Sequence, residues 1–330
     1  MEYSFAKVVD FVNSCFKFKF TKKEYFRHTT GHLISKPAPM KLLKASILPL
    51  FCCLFSLTAT AQLTSDSIEI EKHFRTFHFN RPENNKKNKS LIFVLHGSGG
   101  NGKQMMAGTS KLDKLSTSEN LIVAYPDGYK RYWNECRKAA TTPPNLENIN
   151  EEAFFEAMIQ YFKKHYRINT KNVFVVGTSG GGHMAYKLAM TLPEKIKAIT
   201  AIVASLPDPS NFDCIDKKVA KPVMIVNGTA DPLNRWEGGQ IILGGGVNMG
   251  MIRSTESSFQ YWSDLAGYTG EPVKTALPDT DPKDGKTIER YQFKEKGKPE
   301  VTLLKVIGGK HDYPGDIDVH VEAWAFFKRQ

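Results

Sequence analysis

Ser179, Asp231 and His311 are the residues around which chemistry could be built. Ser179 lies in Gly177-Thr178-Ser179-Gly180-Gly181, a G-x-S-x-G spacing preceded by the apolar run Val173–Val176 and followed by a small-residue helical pattern. A chain that turns sharply from strand into helix holds the serine in a strained geometry. It needs small residues two positions to either side so that the flanking segments can pass. Such a turn exposes the hydroxyl and sets the next N–H, that of Gly180, at a helix N-terminus, where an oxyanion is stabilised.

A serine hydroxyl is a weak nucleophile without a base, and the base needs a carboxylate to fix its tautomer. Asp231 closes Asn227-Gly228-Thr229-Ala230-Asp231, directly after the apolar run Val223–Val226. His311 closes Gly308-Gly309-Lys310-His311, directly after Val301–Val306. The order Ser, Asp, His is that of the strand–turn–helix hydrolases. His183 is expected to lie on the helix of the serine itself, too near in sequence to reach it from across a sheet. His165 and His320 fall in helical patterns and are expected at the surface. Asp208 follows an earlier strand and lacks the Gly-Thr-Ala-Asp-Pro turn, and Asp312 reads as a local turn carboxylate. A second oxyanion donor is expected from the glycine-rich loop His96-Gly97-Ser98-Gly99-Gly100, with Ser98 the choice. The same loop lacks the spacing of a phosphate cradle.

The elements that must position these residues alternate. Ser67–Phe79 reads as one or two antiparallel edge strands. Leu91–Leu95 and Leu121–Tyr125 are continuous apolar runs, as in strands buried on both faces. Gln104–Leu115, Glu151–Tyr166, Ser254–Leu265 and Val319–Phe327 read as helices. Ile196–Val203 is a further strand, and Ile288–Phe293 should pair with Val301–Val306. Glu237–Gly250 is glycine-rich and reads as a loop, and Gly270–Gly285 as a polar surface insertion. The fold class is therefore α/β: a mainly parallel, doubly wound sheet with antiparallel N-terminal strands. His96, Ser179, Asp231 and His311 all fall beyond the carboxyl ends of strands, where such sheets carry their functional groups.

The 330 residues are 41% apolar and 24% charged, ordinary for a globular chain. Over half of the net charge of +11 falls in residues 1–61, and no basic run with interleaved aromatics follows, so nucleic acid is not an expected partner. Met40-Lys41-Leu42-Leu43-Lys44, the apolar stretch Ile47–Leu57 and Ala59-x-Ala61 read as a signal peptide over 40–61, with cleavage before Gln62 and secretion as the outcome. The apolar stretch is too short for a membrane span of about twenty residues, and bulky Phe51 before Cys52 argues against a lipid anchor, so no stable membrane anchor is expected. Residues 1–39 read as an upstream extension, with translation starting at Met40. Residues 62–330 form a single catalytic domain. Of five cysteines only Cys136 and Cys214 follow the leader, and in an exported chain a disulfide is their simplest state, with two free buried thiols as the competing reading. No spacing suggests a metal site or any other cofactor.

Taken together, these pieces resemble the polyhydroxybutyrate depolymerase and feruloyl esterase branch of the α/β-hydrolases, a carbohydrate esterase type. The resemblance rests on Leu95–Gly100, Pro126-Asp127-Gly128, Trp133-Asn134-x-Cys136, the Ser179 turn, Asn227–Pro232, Gly238-Gly239 and Gly308-Gly309-x-His311-x-x-Pro314-Gly315. It spans roughly residues 70–328. It implies an α/β-hydrolase fold, a secreted serine esterase without metal, and a disulfide consistent with Cys136–Cys214. Two positions depart from the family pattern. Asn227 stands where a histidine is usual, and Tyr313 where a tryptophan is common. Neither belongs to the expected triad, but both could reshape the acyl pocket.

The chemistry expected is ester hydrolysis through an acyl-enzyme. The first-choice substrates are feruloyl or acetyl esters of plant polysaccharides, with Trp133 and Trp236 as candidate substrate-binding residues. A poly(3-hydroxybutyrate) or other polyester depolymerase is the second choice. A peptidase or a non-catalytic hydrolase-fold binding protein is the alternative of another class. Oligomeric state is not legible in the sequence.

Overall fold

The computed structural model describes residues 63–80 and 86–330. The expectations for residues 1–39, for the signal peptide and for cleavage near Ala61 lie outside the described residues.

The apolar runs become the centre of a ten-stranded sheet. Its strands are β1 (Leu63–Ile70), β2 (His73–Asn80), β3 (Lys89–Leu95), β4 (Leu121–Pro126), β5 (Ile168–Thr178), β6 (Ala198–Ile202), β7 (Val223–Gly228), β10 (Val273–Ala276), β11 (Thr287–Phe293) and β12 (Val301–Ile307). The spatial order is β1-β2-β4-β3-β5-β6-β7-β12-β11-β10. From β4 to β12 every pair is parallel. Antiparallel pairs flank this block at both ends.

A strand buried on both faces must be apolar at every position, because successive side chains point to opposite sides. β3 shows this directly. Leu91, Phe93 and Leu95 join the core on one face, while Ile92 and Val94 join the core on the other. The helices divide accordingly. On the first face lie α4 (Glu151–Tyr166) and α5 (Gly180–Thr191), together with α6 (Thr255–Leu265). On the second lie α1 (Gly102–Gly108), α2 (Ser110–Ser118) and α7 (Val319–Phe327). A four-residue helix, α3 (Pro143–Leu146), sits in the long connection from β4 to α4. The Phe155 ring meets Phe93 edge-on, with centroids 5.1 Å apart, so removing either ring would cost about 3–5 kcal/mol.

Two expectations are corrected. Gln104–Leu115 is two helices, broken at Thr109, whose hydroxyl lies 3.0 Å from the Met105 carbonyl and 2.8 Å from the Tyr125 hydroxyl. Glu237–Gly250 is mostly an antiparallel hairpin, β8 (Gly239–Leu243) with β9 (Val247–Ile252). Its glycines concentrate in the turn Gly244-Gly245-Gly246, where Gly245 and Gly246 adopt positive φ. Its strand residues Ile241, Met249 and Ile252 bury a small apolar cluster with Ala140. Gly270–Gly285 contributes the fully exposed edge strand β10. The remaining expected elements form, with ends shifted by a few residues at most.

The connection from β4 to α4 is long and irregular, yet it is firmly held. Glu151 at the start of α4 is fully buried, pairs with Arg75 of β2 at 2.8 Å and accepts the Asn134 N–H at 3.1 Å. Burial pushes the Glu151 carboxyl upward, and the Arg75 guanidinium opposes that shift. Cys136 and Cys214 form a disulfide that fastens the same connection to the segment after β6.

Candidate active site

The turn between β5 and α5 brings the Ser179 hydroxyl to the top of the sheet. Ser179 has φ 54° and ψ −117°, a conformation sparsely populated for a residue with a side chain. The surroundings enforce it. The Ser179 N–H donates to the Ile202 carbonyl at 2.8 Å, and its carbonyl accepts from Gly182 at 2.8 Å and His183 at 3.0 Å. A Cβ at Gly177 would run into the Gly181 carbonyl, and one at Gly181 into Leu95 and His96. The glycine spacing therefore follows from three backbones meeting at one point.

His311 Nε2 lies 2.9 Å from Ser179 Oγ, and His311 Nδ1 lies 2.7 Å from Asp231 Oδ2. Asp231 is buried, and its other oxygen accepts the backbone N–H groups of Leu233 at 2.8 Å and Asn234 at 2.9 Å. The carboxylate is thus fixed by its own loop before it meets the imidazole. With Nδ1 donating to Asp231, Nε2 is left to accept from the serine. The structure therefore brings together the three residues expected from the sequence, each directly beyond its strand.

Gly180 and Ser98 are neighbours: a Cβ at Gly180 would lie 2.6 Å from Ser98 Oγ and 3.1 Å from Ser98 N. The loop carrying Ser98 is shaped by His96. His96 Nδ1 donates to the Gly97 carbonyl at 2.8 Å, and Nε2 accepts the Gly128 N–H at 2.9 Å. Burial lowers the His96 pKa, which keeps the ring neutral and able to accept that N–H.

Trp133 and Trp236 are placed differently from the expectation. Trp133 is 2% exposed, donates its indole N–H to the His96 carbonyl at 2.9 Å and packs on the His96 and Phe155 rings. Trp236 is 8% exposed, lies in the main core and takes the Lys305 ammonium over its face. Both rings are spent on packing, so neither offers a face to substrate. His320 is also corrected. It is buried at the start of α7 beside Tyr313, and burial brings its pKa down to about 4. His165 is exposed on α4, as expected.

The cleft in front of Ser179 and His311 is narrow. Val203, Leu233, Ile241 and Leu243 make its aliphatic side, and Arg137, His183 and Asn234 its polar side. Sequence reading missed these residues as a group. His183 is not part of the triad, yet one helical turn after Ser179 it borders the same cleft. Its pKa falls well below the usual histidine range, first through burial and then through the charge of Arg137. Arg137 is buried against Glu135, Nη2 to Oε1 2.6 Å. Its place beside Cys136 was the one available signal. Asn227 is fully buried behind the site, accepting from Ala204 N and donating to Ser205 and Thr255, so it braces the end of β6. The Tyr313 hydroxyl meets Thr178 Oγ1 at 2.7 Å. Among the described residues no group of three or more His, Cys, Asp or Glu is placed to hold a metal ion, and no helix is long and apolar enough to cross a membrane.

The mainly parallel sheet with helices on both faces, and a serine, histidine and aspartate aligned beyond its strand ends, defines an α/β-hydrolase. Comparison with known proteins points to a branch of that class. A family described as BAAT / Acyl-CoA thioester hydrolase C terminal matches residues 151–231. A Nocardia uniformis subsp. tsuyamanensis protein named "Putative esterase NocK" is 23% identical over 232 residues, 69% of this chain and 66% of that protein. The acetylxylan esterase of Coprinopsis cinerea is 27% identical over 121 residues, 36% of this chain and 32% of that protein. Fungal feruloyl esterases match over similar stretches. The chain thus spans two thirds or less of the length of these curated relatives. Among solved structures, an acetyl xylan esterase from Aspergillus awamori superposes with a TM-score of 0.53 at 16% identity, covering 80% of this chain and 99% of that one. The chain has the α/β-hydrolase fold and is similar in sequence to acetylxylan and feruloyl esterases.

Proposed function

We propose that the protein is an exported serine esterase that works through an acyl-enzyme on ester groups of plant polysaccharides. The observation that carries this reading is the unbroken line Asp231–His311–Ser179, at 2.7 and 2.9 Å, ending beside Gly180 and Ser98. His311 takes the proton from Ser179 as Oγ attacks the ester carbonyl. The N–H groups of Gly180 and Ser98 receive the oxyanion. His311 then protonates the departing alcohol, and water repeats the sequence to release the acid. The names of the related proteins support acetyl and feruloyl esters as the substrate class. The disulfide supports export, since such bonds persist in oxidising compartments.

Within that class the cleft favours the acetyl group. Among the described residues its lining offers aliphatic side chains, and no Phe, Tyr or Trp ring, to an acyl chain. The test is turnover of acetylated xylan against methyl ferulate and hydroxybutyrate oligomers by the wild type and by Ser179→Ala. Acetate release that vanishes in the variant supports the proposal. Retained activity in the variant refutes the serine mechanism, and preference for ferulate or hydroxybutyrate refutes the acyl assignment.

A further inference from the structure

Ser179 and His311 follow strands that are not neighbours. Ser179 follows β5 and His311 follows β12, with β6 and β7 between them. Adjacent strands lie about 4.8 Å apart, so the two strand ends are about 14 Å apart and loops must close the rest of the gap. Asp231 steadies the imidazole from the side of β7, the neighbour of β12. On the side of the nucleophile, the Tyr313 hydroxyl lies 2.7 Å from Thr178 Oγ1. Tyr313 is two residues beyond the base, and Thr178 is the residue before the nucleophile. Among the described residues, Tyr313–Thr178 and His311–Ser179 are the side-chain hydrogen bonds that join the two loops. The rest of the base loop is tied the other way, to the connection between β10 and β11. Lys286 Nζ donates to the Tyr313 carbonyl at 3.2 Å and pairs with Asp312 at 3.0 Å, and the Gly315 N–H donates to Asp284 Oδ2 at 2.9 Å.

We infer that Tyr313 is a positioning residue for the base: its hydroxyl, bonded to Thr178, holds the His311 imidazole in line with Ser179 Oγ. This rests on the serine esterase reading above. The ring is supported for the task, because the His320 ring of α7 meets it edge-on with centroids 5.5 Å apart. Neither Tyr313 nor Thr178 is among the described residues that line the acyl cleft, so the pair acts through His311 and not on the acyl group. Two hydrogen bonds at neighbouring positions fix a direction, where one alone leaves a pivot. Without the Tyr313 bond the loop can turn about its anchors at Lys286 and Asp231, and the aligned geometry is populated for less of the time. A misplacement of about 1 Å can cost about a hundredfold in rate, and the loss of one hydrogen bond between neutral groups sets a smaller figure, about three- to tenfold. His311 serves both half-reactions, so both should slow together.

The experiment compares the wild type with Tyr313→Phe, Thr178→Val, Thr178→Ser and the Tyr313→Phe, Thr178→Val double variant. The readouts are turnover of p-nitrophenyl acetate, the rate of fluorophosphonate labelling of Ser179, and the melting temperature. The phenylalanine variant keeps the ring and its contact with His320 and loses only the hydroxyl. Its kcat and labelling rate should each fall about three- to tenfold, with KM and melting temperature unchanged. Thr178→Val should reproduce that loss, the double variant should lose no more than either single one, and Thr178→Ser, which keeps a hydroxyl, should recover most of the rate. A raised KM in Tyr313→Phe that Thr178→Val does not share would place Tyr313 against substrate and overturn the inference. Losses that add in the double variant, a serine variant no better than valine, or an unchanged labelling rate would overturn it too. A wild type that neither turns over ester nor labels refutes the serine esterase reading itself, and this inference falls with it.

Discussion

The Trp133 indole N–H reaches the His96 carbonyl at 2.9 Å, and the two rings lie 4.9 Å apart, so an aromatic residue of an irregular loop supports the strand end from which the loop carrying Ser98 departs. Replacing Trp133 by Phe keeps the ring stack and removes the donor. The buried His96 carbonyl then loses a partner, and stability should fall by about 1–2 kcal/mol. The kcat for a soluble acetyl ester should drop while KM stays near the wild-type value. Steady-state kinetics with denaturant unfolding checks this, and a raised KM with unchanged kcat would instead place Trp133 against substrate.

Asp231 fixes its own loop and the His311 tautomer at once. Asn at 231 presents an amide to Nδ1 and favours the wrong tautomer, so kcat should fall by about a thousandfold or more. The fold should survive, because an amide oxygen can still accept the Leu233 and Asn234 N–H groups. Circular dichroism together with ester turnover tests both halves.

The Cys136–Cys214 disulfide closes 78 residues of chain and anchors the segment that carries Arg137 into the cleft. Its removal in a Cys136→Ser, Cys214→Ser variant should cost about 2–5 kcal/mol. A melting temperature unchanged by the double substitution, or by reductant on the wild type, would contradict this.

His320 makes acid lability predictable in sign. Unfolded, it takes up a proton near pH 6.5, whereas in the fold it resists until about pH 4. The unfolded state binds more protons between those values, so stability falls as pH drops through that window, by up to about 3 kcal/mol. Asp113, raised to about 6 by burial, works in the opposite sense over part of the range. Comparing the wild type with His320→Gln isolates the histidine. Unfolding free energies at pH 7 and 4.5 should differ less in the variant, and parallel losses would refute the assignment.

The parts of the fold that were legible in the sequence are those where one physical demand acts alone. Leu91–Leu95 had to be apolar at every position because β3 is covered on both faces. Gly177 and Gly181 had to lack side chains because three backbones meet at Ser179. The three site residues were legible because each follows a core strand directly. The hairpin β8–β9 was hidden because its three-glycine turn dominates the composition, masking the alternation of buried Ile241 between exposed Gln240 and Ile242. Trp133 and His320 were misplaced because their partners, His96 and Tyr313, are remote in sequence or cross an element boundary. Beyond its place beside Cys136, Arg137 has no local signal, and Asn234 has none; only the folded chain brings them to the cleft.

The central claim is that Ser179 becomes covalently acylated. The direct measurement is peptide mass spectrometry after treatment with a fluorophosphonate. One adduct should fall on the peptide containing Ser179, and it should be lost in Ser179→Ala and strongly slowed in His311→Ala. Ester hydrolysis that continues without that adduct, or an adduct on another residue, would contradict the claim.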